Sequence, residues 1–238
     1  MGKSGKLELT WVGKNERPRL EPRVLVEDPS KFYGDPNAEN ILIFGDNLSA
    51  LKALEHDFAG KIKCIYIDPP YNTGAAFEYY DDGLEHSIWL SMIRDRLEML
   101  HALLRSDGVI FCSIDERELF YLGILFDEIF GRDNRIEIII WKKSYGGGAK
   151  SKYFVNQHEY ILCYAKDLTL IAPFFLPPEE GALKYYKYKD EKFDTRGPYR
   201  LQPLATTSMD DRPNLRYSIV TDEGIEIWPE KQWQWSEA

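Results

Sequence analysis

The 238-residue chain is 44% hydrophobic and 29% charged. That is enough for one sizeable core and a smaller subdomain; no apolar run is long enough to span a bilayer and no secretory leader follows Met1, so a cytoplasmic setting is the expectation. The net charge of −9 argues at first sight against a nucleic-acid partner, but residues 1–140 carry 16 basic and 25 acidic side chains while residues 142–200 carry 11 and 7, which leaves room for a local basic surface that binds phosphate.

Residues 1–40 are rich in proline and charge and read as an extended lead-in segment. Within it, Leu7-Glu8-Leu9-Thr10-Trp11-Val12 is either an edge strand or an arm packed on another surface. Ile41-Leu42-Ile43-Phe44 reads as the first strand, closed by Gly45-Asp46-Asn47. Asn47 is a good N-cap for a helix in which Leu48, Leu51 and Leu54 recur at helical spacing up to Gly60. The β-branched run Ile62 to Ile67 then completes a βαβ unit with a parallel pair. Asp46 and Asp68 would thereby end strands on the carboxyl edge, where open α/β sheets bind ligands.

Ala75 to Gly83, polar and aromatic without a period, reads as a loop beside that edge. Leu90, Ile93, Leu97, Leu100 and Leu104 form one apolar helical stripe, a core feature, with Gly108 as its stop. Val109 to Ile114 is a buried strand stopped by Asp115, a helix follows from about Glu116 to Phe130 with Gly131 closing it, and Ile136 to Trp141 is the next strand. This alternation predicts a doubly wound, mostly parallel α/β sheet over residues 41–165. From Lys142 to Lys152 the chain reads as a flexible basic loop, and Tyr160 to Ala165 returns as a strand. Residues 166–238 form a small mixed or β-rich unit, with Lys184 to Lys189 interleaving lysine and tyrosine. Cys64, Cys112 and Cys163 each fall in an apolar run without CxxC or Cys/His spacing, which predicts buried reduced thiols and no metal site.

The chemistry concentrates at Asp68-Pro69-Pro70-Tyr71-Asn72-Thr73-Gly74. Two prolines cannot continue a ladder and hold the preceding residue extended, so the backbone turns and leaves carbonyls free at the strand end. Asp68 and the Pro69 carbonyl can accept hydrogen bonds from one exocyclic amine, and the Tyr71 ring can lie on a flat heterocycle. The set suits a planar amino-bearing base.

From Gly45-Asp46-Asn47-Leu48 through Asp68-Pro69-Pro70-Tyr71-Asn72-Thr73-Gly74, the chain resembles the beta-class amino-methyltransferases of DNA. The opening Leu7 to Lys14 and the run from Ile129-Phe130-Gly131 to Trp141-Lys142 resemble the modification (Mod) subunit of type III restriction–modification systems, and the likeness is strongest up to about residue 165. It implies a Rossmann-like methyltransferase core that moves a methyl group from S-adenosyl-L-methionine to N6 of adenine in double-stranded DNA, with the base flipped out of the duplex. Asp68, Pro69, Pro70 and Tyr71 are then catalytic, and Asp46, Asn47 and Asp68 bind cofactor. Asn72, Thr73, Trp141, Lys142, Lys143, Lys150, Lys152, Lys184 and Lys187 are candidates for DNA contact. Asp46 reads equally well as a cap or turn residue, Trp141 as core, and Lys184 to Lys189 as an edge strand guarded by lysines.

The Phe-x-Gly-x-Gly cofactor turn of such enzymes is absent, and Gly146 to Gly148 sits between lysines with no helix after it. The expectation is therefore an N-terminal piece of a longer enzyme with an incomplete core: residues 1–40 a lead-in, 41–165 part of the catalytic core and 166–238 part of the target-recognition region. The resemblance also implies a homodimer and a helicase-nuclease restriction subunit as partners. Cytosine-N4 transfer and an inactive DNA-binding or assembly fragment are the alternatives; a phosphate-cradling NTPase lacks its loop.

Overall fold

Apolar side chains at helical spacing in 89–103 and in the apolar runs 62–67, 109–114 and 160–165 build the core. A computed structural model describes residues 8–21, 23–35, 37–73, 76–77, 80–81, 85–145, 153–174, 181, 184–206 and 210–236. The chain divides into two units, Met1–Pro173 and Phe174–Ala238. The first runs α1 (Asn47–Phe58), β1 (Ile62–Ile67), a hairpin of β2 (Ala76–Phe77) and β3 (Tyr80–Asp81), α2 (His86–Leu103), β4 (Leu104–Ile114), α3 (Leu119–Phe126), β5 (Arg135–Lys142) and β6 (His158–Ala165).

The α/β class is as expected, but the sheet is mixed. Its order is β1-β4-β6-β5, with β1 parallel to β4 and β6 antiparallel to both β4 and β5. The Lys143 N–H already donates to Gln157 O at 2.9 Å, so β5 returns as β6 in a hairpin, whereas a parallel pair would need a crossover. Ile65, Ile110, Cys112, Ile114, Leu162 and Tyr164 line one sheet face, and Trp89, Leu90, Ile93 and Leu97 of α2 with Leu122, Leu125 and Phe126 of α3 close over them. Each such side chain contributes about 1.5–3 kcal/mol on burial. On the opposite face Tyr66 and Cys64 are exposed, so the expectation that all three cysteines are buried fails at Cys64.

Ile41–Phe44 is not a strand. Leu42 is 93% exposed and Phe44 fully so; β1 pairs only with β4 among the described strands, and an apolar run without a ladder partner stays irregular. Gly108 does not end α2, which stops at Leu103. It lies inside β4, where the register to β1 slips between Ile62 and Cys64. A Cβ there would lie 2.8 Å from Arg105 O and 2.9 Å from Ile62 O, so close approach of two backbones is what requires glycine. The helix expected over 116–130 is α3 followed by a π-helical turn, Asp127–Gly131, with Gly131 at φ 86° leaving it.

The lead-in behaves as an arm, not a strand. The Trp11 indole donates to Ser91 Oγ at 2.8 Å, Leu9 N–H donates to Glu128, and Arg17 pairs with Asp95 and Glu98. Arg94, 2% exposed, reaches out of α2 to donate to the carbonyls of Lys14 and Glu16.

Among its described residues the second unit has α4 (Phe193–Arg196) and four two-residue strands, β7 (Ala205–Thr206), β8 (Ile219–Val220), β9 (Glu226–Ile227) and β10 (Gln232–Trp233). β7 pairs with β10 and β8 with β9, all antiparallel. Buried Gln232 bridges Asp210 O and the Arg212 N–H, both at 2.9 Å, and Trp233 and Leu215 pack beside it. Residues 166–173 belong to the first unit, tied by Leu168 N–H to Asn134 Oδ1 at 2.9 Å.

Candidate active site

Because β5 runs antiparallel to β6, and β6 antiparallel to β4, the strands β1, β4 and β5 all point the same way. Their carboxyl ends bring Asp68, Asp115 and the run Trp141-Lys142-Lys143 to one edge, together with His158 and Glu159 at the start of β6. Beyond β1 the chain turns at Pro69 and Pro70. Asp68 is exposed, while Pro69 to Thr73 are half-buried.

Tyr71 packs its ring against the core cluster. Burial raises its phenol first, and the charge of Asp68, together with a hydrogen bond to that carboxylate, raises it further; Glu159 adds to the effect. Ser113 opposes these effects in part, and the Tyr71 hydroxyl stays protonated. Asp68 also helps burial to push up the Cys112 thiol. Behind the turn, the fully buried Trp89 of α2 donates its indole N–H to Pro70 O at 2.8 Å. Asn72 sits at φ 58°, a left-handed conformation asparagine tolerates better than most residues, and its amide donates to Glu118 Oε1 at 2.7 Å. Glu118 is fully buried at the start of α3, and the same oxygen lies 2.9 Å from His86 Nδ1. Among the described residues none donates to the Pro69 carbonyl.

Asp46, not Asn47, caps α1: its carboxylate accepts from Ser49 N–H at 2.9 Å, and that bond, with Arg96 3.6 Å away, holds it below the usual carboxylate range. Asn47 is the first helical residue, its side-chain oxygen accepting from Arg96 Nε at 2.7 Å. Trp141 is 57% exposed and pairs across the ladder with Glu159, so it is not core. The Lys142 ammonium stands over the Tyr145 ring, and Lys143 lies 3.9 Å from Glu159. Lys184, over the Tyr185 ring, and Lys187 belong to the second unit. Gly74, Gly146 to Gly148, Lys150 and Lys152 lie outside the described residues.

Trp89, Glu118, His86 and Glu159 were not among the residues the sequence nominated. Trp89 lies on the apolar face of α2, which reads as packing, and Glu118 lies in the charged run Asp115-Glu116-Arg117-Glu118, which reads as solvated surface. Only the position of Glu118 immediately before the apolar helix marks it as a helix-start residue; its side chain makes no cap bond.

A family model described as DNA methylase, N6_N4_Mtase, matches residues 62–234. The chain belongs to that DNA methylase family. Its relatives include the HindVI Mod subunit of Haemophilus influenzae, a type III restriction-modification protein, at 45% identity over 55% of this chain and 18% of that one. The EcoP15I Mod subunit of Escherichia coli is 34% identical over 67% of this chain and 30% of its own. The StyLTI Mod subunit of Salmonella typhimurium is 34% identical over 93% of this chain and 37% of its own. The chain thus spans between 18% and 37% of the length of these relatives. Among the described residues no helix is long and apolar enough to cross a membrane.

Proposed function

We propose that this DNA methylase chain acts on the N6 amine of adenine in double-stranded DNA, as a modification subunit of the kind its Mod relatives are named for. The observation that carries the reading is the open pair at the end of β1: an exposed Asp68 carboxylate beside a Pro69 carbonyl with no donor among the described residues. Two acceptors side by side take the two N–H bonds of one exocyclic amine. They leave its nitrogen lone pair directed away from the protein and favour the tetrahedral character the nitrogen gains on alkylation. A base reaches such a pocket only by leaving the duplex, which costs a few kcal/mol of unstacking, recovered by contacts such as stacking on Tyr71.

S-adenosyl-L-methionine, the proposed donor, supplies a methyl group on a sulfonium. The residues near Asp46 suit its adenosine: Asp46 is exposed and keeps acceptor capacity for a ribose hydroxyl, and the uncovered side chains of Leu42 and Phe44 offer apolar surface close by. Asp46, Asn47 and Asp68 are the contacts assigned to it here; the Phe-x-Gly-x-Gly turn is absent from these 238 residues. Trp141, Lys142 and Lys143 at the same edge, Asn72 and Thr73 after the turn, and the lysine–tyrosine stretch of the second unit are the proposed DNA contacts. A second copy of the chain, a helicase-nuclease restriction subunit and a cytoplasmic setting complete the proposal, with residues 166–238 serving target recognition.

The test is transfer of label from S-adenosyl-L-methionine to duplex DNA by the full gene product. Label on adenine N6 that is lost in Asp68→Ala supports the reading. Label on cytosine N4, or no label at all, overturns it.

A further inference from the structure

The turn at Asp68–Tyr71 presents two successive carbonyls, and a site that binds one amine needs only one of them. Proline supplies no N–H at either position, so the choice between Pro69 O and Pro70 O must come from elsewhere. α2 makes it: the Trp89 indole, fully buried, donates to Pro70 O at 2.8 Å, while Pro69 O has no donor among the described residues. One residue beyond Tyr71 the chain is caught again. Asn72, at φ 58°, passes its amide to Glu118 Oε1 at 2.7 Å, and Glu118 is held from its other side by His86 Nδ1, 2.9 Å from Oε1 and 3.2 Å from Oε2. Glu118 precedes α3 yet makes no cap bond. A carboxylate with no exposure persists only where its partners are fixed, and these partners are the active-site loop and the first residue of α2.

We propose that Trp89 and Glu118 are positioning residues for methyl transfer: they pin Pro70 and Asn72 from the protein side, so that the Pro69 carbonyl and the Asp68 carboxylate, and not the Pro70 carbonyl, meet the amine. The inference rests on the function proposed above and adds to it the groups that set the geometry of the turn. Both act from helices anchored in the core, where a fraction of an ångström at the turn is decided by packing. A displacement of about 1 Å at a reacting centre lowers the rate by about 10²-fold.

The experiment uses the full gene product and measures single-turnover transfer to duplex DNA per cofactor-binding site, the Kd for duplex, and 2-aminopurine fluorescence at the target position. Trp89→Phe removes the donor and keeps an aromatic ring; Glu118→Ala removes the acceptor; Glu118→Gln restores an oxygen for Asn72. Leu97→Ala, in the same helix and fully buried, destabilises without touching the turn. The expected result is a loss of about 10²-fold in transfer rate for Trp89→Phe and Glu118→Ala. Duplex affinity and base flipping should be retained, Glu118→Gln should recover most of the rate, and Leu97→Ala should lower Tm with its per-site rate intact. If Trp89→Phe does not fold, the comparison of Glu118→Ala with Glu118→Gln carries the same expectation. A wild-type protein that labels no DNA overturns the function itself. A wild type that labels adenine, with Trp89→Phe and Glu118→Ala matching Leu97→Ala per site, overturns the positioning role alone.

Discussion

Gly108→Ala is the sharpest test of how β1 is seated. The added Cβ would lie 2.8 Å from Arg105 O, 2.9 Å from Ile62 O and 2.9 Å from Leu104 Cδ2, all closer than non-bonded carbon tolerates. Two of the three atoms are backbone carbonyl oxygens that cannot swing aside, so β1 must withdraw from β4 at the point where their register already slips. Overpacking of this kind costs about 1–3 kcal/mol. At about 2–4 °C per kcal/mol for a domain of 150–250 residues, a cost near 2 kcal/mol lowers Tm by about 4–8 °C. Gly123→Ala is the control: it lies in α3 with nothing within 4 Å of the added Cβ, and should stabilise by about 0.5–1 kcal/mol through helix propensity. Urea titrations followed by near-ultraviolet circular dichroism give both values on one scale. A Gly108→Ala protein that unfolds at the wild-type midpoint would refute the account of close approach and return Gly108 to the role of a helix stop.

Arg94→Ala should release the N-terminal arm, because it strips donors from the carbonyls of Lys14 and Glu16; limited proteolysis should then cut within residues 8–20 well before the core, and equal protection in both proteins would contradict it. His101 is held below its ordinary pKa by burial and then by Lys166. Its folded pKa thus lies below its unfolded one, the unfolded chain binds the extra proton, and stability falls as pH drops below about 6.5. His101→Asn should flatten the dependence of the unfolding midpoint between pH 7 and pH 5, and an unchanged slope would refute it. Of the thiols, Cys64 is exposed, while burial pushes Cys163 up to about 11 and Cys112 higher still. Alkylation at pH 8 should modify Cys64 alone until denaturant is added, and simultaneous loss of all three would contradict the burial assigned here.

What the sequence made legible was local. The apolar stripe of α2 was readable because Leu90, Ile93, Leu97 and Leu100 repeat with the helix itself, and the strands β4 and β6 because their runs are apolar and bounded. Ile41–Phe44 has the same composition as a strand, but a strand exists only through a partner distant in sequence, and pairing leaves no mark on the run itself. Gly108 looks the same in sequence whether it stops a helix or admits a neighbouring backbone. Asp46 and Asn47 are adjacent good caps, and a shift of one residue moved the cap from one to the other. The mixed sheet was hidden because a hairpin and a crossover differ only in the link between strands.

The same limit explains why half of the site went unread. Carboxylates crowd this edge, and sequence alone cannot say which are already committed. Asp115 is buried and bound to Arg117, Glu118 to Asn72 and His86, and Asp46 to the start of α1. Asp68 is exposed like Asp46 but caps no helix, and its charge helps burial to raise the Tyr71 phenol. On the proposed reading an entering amine donates to that exposed carboxylate, which spares it the cost of about 1–3 kcal/mol that an unpaired acceptor meets once a bound base shuts out water. Tyr71 follows the turn directly, and on the same reading its ring is the surface on which the base stacks.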